Sequence, residues 1–402
     1  MIRFLSIFTL LNWLSSSTSM EYITYDYAII GAGAAGLNLA LCMLEDPFFD
    51  DKAIVIFDKD LKNANDRTWC FWEKGAGRWD GVVSHKWGKA VVTDTNTKQY
   101  TLSLDPFTYK MIHSDDFYRF AKDKIRASGI IDWVTAEVEQ VNIINGAQEI
   151  QAQKRYLITR HTFDSRIASK FNHDTSSIKL LQHFKGWVVE TDAPAFDPSA
   201  FVMMDFSLRW KDTTSFTYVL PFSATKALVE FTLFSPDLIQ NEEYDTMLKQ
   251  YVTEILDIKK YNILASEQGV IPMSDYPFHH QNNDSLTKIG TAGAWVKPSS
   301  GYSFKNTERY SLRIIDNIKK GLVPSKNIIR KKYRYYDSVF LNVLYHRNEL
   351  GPELFTIMYG KNPIEKIFDF LDEQTSLLDD IRIMNTFPKA PFNKAVFRKL
   401  VS

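Results

Sequence analysis

The stretch Tyr25-Asp26-Tyr27-Ala28-Ile29-Ile30-Gly31-Ala32-Gly33-Ala34-Ala35-Gly36 decides the fold. Its first half is a short apolar run, too short for a helix and ending in glycine, which reads as a buried parallel strand. Its second half is a G-x-G-x-x-G turn. Gly31 permits the tight bend, Gly33 lets the backbone approach a pyrophosphate, and Gly36 lets the next helix lie close to the strand. That helix is expected from about Ala34 to Leu44, its N-terminal amides turned toward phosphate. A second buried strand, Ala53 to Phe57, ends in Asp58, near the spacing of roughly 20 residues at which a carboxylate bonds a ribose hydroxyl. Strand, glycines, helix, strand and acid in that order point to a dinucleotide site, but they serve NAD and FAD alike.

A later passage favours FAD. Ile289-Gly290-Thr291-Ala292-Gly293-Ala294 leads into Pro298-Ser299-Ser300-Gly301-Tyr302 and then a helical pattern from about Phe304 to Ile318. This resembles the strand, glycine turn and helix that close the FAD site in glutathione-reductase-like flavoproteins. Thr291 stands where that superfamily often has an aspartate on the ribityl chain. Tyr156 to Thr159 reads as a short strand, and Phe163-Asp164-Ser165-Arg166 after it resembles the superfamily's FAD-shielding turn, which gives Asp164 a cofactor-supporting role.

Composition removes other classes. Lysine plus arginine equals aspartate plus glutamate at 48 each in 402 residues, so the broad basic footprint of a nucleic-acid binder is missing. Cys42 and Cys70 form no C-x-x-C pair, which argues against a disulfide framework or thiolate zinc site and for a reducing, cytoplasmic home. His279-His280 would face opposite ways if extended and read as surface histidines. No G-x-S-x-G elbow is present. The best apolar run, Phe4 to Leu14, is interrupted by Ser6, Thr9 and Asn12 and is too short to span a bilayer. Residues 1–19 read either as a weak secretory signal or as an upstream extension ahead of Met20.

Between the two glycine passages, His113 to Lys124 reads as a helix entered through Ser114, with Asp115 and Asp116 complementing its dipole. From Phe184 to Phe234 the pattern changes to strands, Trp187 to Glu190, Phe201 to Arg209, Thr214 to Leu220 and Ala227 to Phe234, separated by Pro194, Pro198 and Pro221. The expected architecture is α/β: a Rossmann-like FAD-binding domain of glutathione-reductase type (20–183 and 285–322), an inserted antiparallel-sheet substrate domain (184–284) and a helical, aromatic C-terminal region (323–402). Aromatics form 14% of the chain, enough to suggest that something large and apolar is covered.

Three long strings carry a closer resemblance: Asn65-Asp66-Arg67-Thr68-Trp69-Cys70-Phe71-Trp72-Glu73, Leu181-Gln182-His183-Phe184-Lys185-Gly186-Trp187, and Lys297-Pro298-Ser299-Ser300-Gly301-Tyr302-Ser303-Phe304-Lys305-Asn306. In this order they resemble bacterial FAD-dependent lycopene cyclases, over about Tyr25 to Phe392. The resemblance implies conversion of lycopene through γ-carotene to β-carotene without net redox change, with reduced FAD required and NADPH as its electron source. It also implies a peripheral membrane protein, since lycopene resides in bilayers. The chemistry implied is protonation of a terminal alkene, ring closure through a tertiary carbocation and loss of a proton. A buried carboxyl, or reduced flavin assisted by one, suits the first step, because burial keeps a carboxyl protonated near neutral pH. Aromatic faces suit the second.

Glu230 leads the acids: alternation puts Val229, Phe231 and Leu233 on one face of its strand and Glu230 with Thr232 on the other. The family's Phe-Leu-Glu-Glu-Thr motif falls here, yet Val229-Glu230-Phe231-Thr232 keeps only the first glutamate. Asp205, in Met203-Met204-Asp205-Phe206, is either a second acid or an ion-paired structural group, with Arg209 two alternate positions along. Asp66 is either an acid or a group that pairs with Arg67 or caps a turn, and Glu73 an acid or a rim residue. Trp69, Phe71 and Trp72 are the candidate substrate-pocket aromatics. Two other activities share the cofactor elements: a flavin monooxygenase or reductase acting on another isoprenoid would consume NAD(P)H with substrate, and a non-catalytic carotenoid-binding protein would return lycopene unchanged. C-terminal aromatic helices serve either as a membrane contact or as a helical core.

Overall fold

A computed structural model describes residues 23–153 and 155–401; the leader assigned to residues 1–19 lies outside them. The strand Ile23–Ile30 runs parallel to Ile54–Asp58 on one side and to Arg155–Asp164 on the other, and Ile131–Thr135 extends the sheet beyond Ile54–Asp58. Ala28 and Ile29 are wholly buried, as a strand covered on both faces must be. The Arg155–Asp164 strand is longer than the sequence suggests. It does not stop at Thr159, because Thr162, Phe163 and Asp164 find parallel partners on both edges, Ile23–Ile30 and Leu286–Lys288. Ala147–Ala152 pairs with its first half, antiparallel.

The helix Ala34–Leu44 follows the glycine turn and lies against Phe304–Lys319. Buried Asn38 joins them, its Nδ2 donating to Ala34 O at 2.9 Å and to Thr307 Oγ1 at 2.8 Å. Thus the two glycine passages, far apart in sequence, meet in one domain of the glutathione-reductase type.

A second, seven-stranded sheet runs in the order Asn262–Ser274, Lys179–Glu190, Lys226–Ser235, Thr214–Pro221, Ala200–Asp205, Lys89–Thr93 and Gln99–Ser103. Its last two strands come from well before the Phe184-to-Phe234 region, and Ala200–Asp205 meets Lys89–Thr93 in parallel. The expected strand to Arg209 ends instead at Asp205, whose carboxylate accepts from Ser207 N at 2.9 Å and turns the chain. On one face Val229, Phe231 and Leu233 pack with Tyr244, Met247 and Leu248 of the helix Asn241–Gln250. On the other, Leu228 and Phe234 join the C-terminal helices, through Leu344, Phe355 and Phe368 among others. His279 and His280 are exposed but not extended: they share a short 3-10 turn with rings 4.4 Å apart.

A three-stranded sheet, Thr68–Lys74, Phe107–His113 and His85–Trp87, lies between these bodies. Its first strand is the aromatic motif. Period-two alternation turns Trp69 and Phe71 into the core of the FAD-type domain and Cys70 and Trp72 toward the large sheet and the C-terminal helices.

Candidate active site

The glycine turn has the shape of a phosphate cradle. A Cβ on Gly36 would meet Gly31 O at 2.0 Å, so only glycine lets helix and strand approach this closely. A Cβ on Gly33 would meet nothing within 4 Å, which leaves that backbone open to a ligand. No side chain caps the helix that starts at Ala34, so its first amides can receive an anion. Asp58 accepts from Ala32 N at 2.6 Å and Asp60 N at 2.8 Å, bracing the turn from the adjacent strand end.

Asp164 is saturated by protein. It accepts from Arg166 N and Nε on one oxygen and from Arg166 Nη2 and Lys288 Nζ on the other, all at 2.9 to 3.0 Å. Burial pushes its carboxyl up, but the hydrogen bond from Arg166 and the charges of Lys288 and Arg166 outweigh that and hold it below the usual carboxylate range. It fixes the strand end beside Gly290, whose positive φ of 61° would put a Cβ 3.2 Å from Ala35 Cβ. Gly293 is equally constrained, a Cβ there meeting Lys288 O at 2.5 Å. After Pro298, Gly301 turns with φ 73° against Gln182 of the large sheet. Buried Gln182 Oε1 and Ser300 Oγ have no protein partner, nor does Asn38 Oδ1 near the helix start. An open glycine, uncapped amides and orphaned polar atoms beside the two glycine passages fit a dinucleotide cofactor.

Glu230 lies beyond that loop. In register across three strands stand Glu267, Gly186 and Glu230, with Tyr218 next in line, so all four share the face turned toward the aromatic motif. Glu230 is enclosed by protein yet keeps accessible surface, as do Cys70, Tyr218 and Tyr302, the combination expected of groups lining an internal cavity. Burial, then the nearby charge of Glu267, pushes its carboxyl up to about 8 against a 2.8 Å hydrogen bond from Thr232 Oγ1. Burial also raises Glu267, which accepts from Thr68 Oγ1 of the motif at 2.8 Å. Around the glutamates Tyr218 OH donates to Tyr109 OH at 2.9 Å. Trp72 packs edge-on to Tyr302, centroids 4.6 Å apart, and flat on Phe368 at 4.4 Å. A small cleft is lined by Cys70, Phe71, Trp72, Tyr302, Phe304 and Asp372 among others.

The other sequence candidates are dispersed. Asp205 is on the opposite face, accepting from Tyr251 OH at 2.8 Å, while Arg209 donates to Thr213 O instead of pairing with it. Asp66 is tied to the start of Ser114–Ser128, accepting from Ser114 Oγ and Tyr118 OH at 3.0 Å, while Asn65 Oδ1 accepts from Ser114 N. Glu73 binds Lys110 and Lys305. Trp69 and Phe71 stack on Phe304, at 5.4 and 5.1 Å, inside the FAD-type core. Only Trp72 of the three aromatics faces the glutamates' side. Glu267 is absent from the candidates that the sequence offers. A glutamate in a polar edge-strand segment gives no local sign that register will set it beside Glu230.

Comparison with known proteins gives the family and the fold. The family model described as lycopene cyclase protein matches residues 26–397. The lycopene beta-cyclase of Paracoccus sp. (strain N81106 / MBIC 01143) is 25% identical over 256 residues, 58% of this chain, and the match spans 62% of that protein's length. Among solved structures, a geranylgeranyl bacteriochlorophyll reductase-like protein from Thermoplasma acidophilum superposes with TM-score 0.59 at 12% identity, covering 93% of this chain and 99% of that one. A flavoprotein/dehydrogenase from Cytophaga hutchinsonii gives 0.57 at 12% identity, with 86% and 92% covered. Halogenase PltM, solved in complex with phloroglucinol and FAD, gives 0.52 at 12%, with 83% and 76% covered. Those structural likenesses speak to the fold alone. The family match, running from the first strand into the last helix, shows that this chain belongs to the lycopene cyclase family.

Proposed function

We propose that this chain is a lycopene beta-cyclase, which closes the ends of lycopene, through γ-carotene, to β-carotene, with Glu230 as proton donor. One observation carries the reading: Glu230 stands beside a second glutamate on a sheet face walled by aromatic rings, surroundings that push its carboxyl up. An alkene is a very weak base, so its donor must be a positioned acid working where water is excluded. Glu230 meets both demands. Once the proton has moved, Trp72, Tyr218 and Tyr302 offer π faces to a tertiary cation without trapping it covalently.

FAD fits the cradle of Gly31, Gly33 and Ala34, with Asp58 behind it and the turn Pro298 to Tyr302 at its far end. When bound in its reduced form, with NADPH as electron source, it supplies negative potential against the cation. The proton given at one carbon is balanced by the proton lost from another, so no electrons are consumed overall. The substrate's solubility places the work at a membrane face, approached from the cytoplasm.

The test is expression in lycopene-producing cells with chromatography of the pigments. β-Carotene is expected, and unaltered lycopene beside folded, flavin-loaded protein would refute the proposal. Lycopene-dependent, stoichiometric NADPH consumption would point instead to a reductase or monooxygenase. Glu230→Gln nearly preserves shape while removing the acid. It is expected to keep its flavin and lose cyclisation by about a hundredfold or more.

A further inference from the structure

Glu230 does not stand alone on its face of the sheet. Lys179–Glu190 runs between Lys226–Ser235 and Asn262–Ser274, and Gly186 is in register with Glu230 on one side and Glu267 on the other. Having no side chain, Gly186 leaves the gap between the two glutamates open. A Cβ there would lie 3.4 Å from Glu230 Cβ and 3.4 Å from Glu267 Cγ. The two glutamates thus flank one backbone position that carries no side chain. Phe231 contributes nothing here, since alternation turns it to the opposite face with Val229 and Leu233.

We propose that Glu267 is a positioning residue, the second member of a carboxyl pair across Gly186 that shares one proton near neutral pH, and that its negative charge keeps the proton on Glu230. This rests on the acid role proposed for Glu230. Two carboxyls in one enclosed site cannot both ionise freely, and the better-solvated partner ionises first. Glu267 is that partner. It has the hydrogen bond from Thr68 Oγ1, and His113 and Arg67 contribute positive potential, whereas Glu230 has only Thr232.

Apart from His113 and Arg67, which act on Glu267, the titratable groups around the pair are neutral near pH 7. Burial pushes Cys70 and Tyr302 up to about 12, and lifts Tyr109, Tyr218 and, on the C-terminal helix Gly351–Lys361, Tyr359 well above the ordinary tyrosine value. Glu267 is thus the anion that Glu230 feels. The sign follows directly. A donor acts only while protonated, so cyclisation falls as pH rises through about 8, the value to which Glu230 is pushed. Removing the charge at 267 lets Glu230 ionise at lower pH, and that descending limb moves to the acid side.

The test uses full-length, flavin-loaded protein and two readouts. The first is the pH profile of lycopene cyclisation for wild type, Glu267→Gln and Glu267→Asp. The glutamine variant should bind flavin normally and move the limb to lower pH, and aspartate, which restores the charge, should move it back. An unchanged profile in Glu267→Gln would overturn the proposal. The second readout is infrared difference titration of the protonated-carboxyl band, which needs no substrate. Wild type should keep that band to near pH 8, Glu230→Gln should lose it, and Glu267→Gln should lose it at lower pH. A band in Glu267→Gln that titrates as in wild type would overturn the pairing even if lycopene proved not to be the substrate. A shifted band without cyclisation would leave the pairing standing and defeat the cyclase reading.

Discussion

Lys110 Nζ stands 2.8 Å from one oxygen of Glu73, and Lys305 Nζ 2.7 Å from the other. Lys110 is almost wholly buried and also donates to Asp80 and Gly75 O; burial pushes its amine down, but Asp80 and Glu73 more than restore it. Both carboxylate oxygens of Glu73 are thus taken up by lysine ammonium groups. Glu230 has the reverse surroundings, with burial and a like charge and no cation in contact. The contrast gives a prediction. Glu73→Gln should cost about 2 kcal/mol, the scale of a lost hydrogen bond to a charged group, because both lysines keep other acceptors. A urea denaturation midpoint measures that cost. Turnover per flavin-loaded molecule should stay near wild type, and a loss like that of Glu230→Gln would return Glu73 to the list of acids.

Strands made some of these roles legible in the sequence and hid others. Alternation along Lys226–Ser235 is local, so the facing of Glu230 with Thr232 could be read directly, as could the glycine turn and the helix behind it. Register between strands is not local. Glu267 meets Glu230 only through a third strand far away in sequence, and Lys89–Thr93 joins a sheet whose other members come mostly after residue 178. Asp205 shows the same limit, since its tyrosine partner comes from a segment 46 residues later. The motif strand is recognisable as a whole, but splitting it into Trp69 and Phe71 on one side and Trp72 on the other requires knowing that cores lie on both sides. The glycine turn itself can be tested as an element. Gly36→Ala would push a methyl to 2.0 Å from Gly31 O and separate helix from strand, lowering stability by about 3 kcal/mol or more and flavin content with it. Gly33→Ala meets nothing in the protein and should keep the wild-type melting temperature while losing flavin. Full flavin absorbance in Gly33→Ala would show that the cofactor does not approach that backbone.

At the scale of the whole molecule, the proposed substrate must travel from a bilayer to Glu230 on the large sheet. Among the described residues, no helix is long and apolar enough to cross a membrane. The final two helices, Leu377–Asn385 and Lys389–Val401, nevertheless expose Leu377, Leu378, Ile381, Phe397, Leu400 and Val401, with Leu378 at 68% and Leu400 at 76%. Leu371 and Asp372, which line the cleft past Trp72, lie just before the first of these helices. That is the arrangement wanted of a protein that lies on a bilayer and draws one end of a lipid-soluble chain inward. Burial of one such leucine contributes at least about 1.5 kcal/mol, so replacing two with charged residues should weaken partitioning about a hundredfold. The variant Leu378→Glu/Leu400→Glu is therefore expected to stop floating with lycopene-containing vesicles and to lose turnover of vesicle-borne lycopene. It should keep its flavin and its turnover of detergent-dispersed lycopene, because neither side chain touches the pocket. If the variant floats and turns over vesicle-borne substrate as wild type does, the exposed leucines are not the docking face, and the route to Glu230 must open elsewhere.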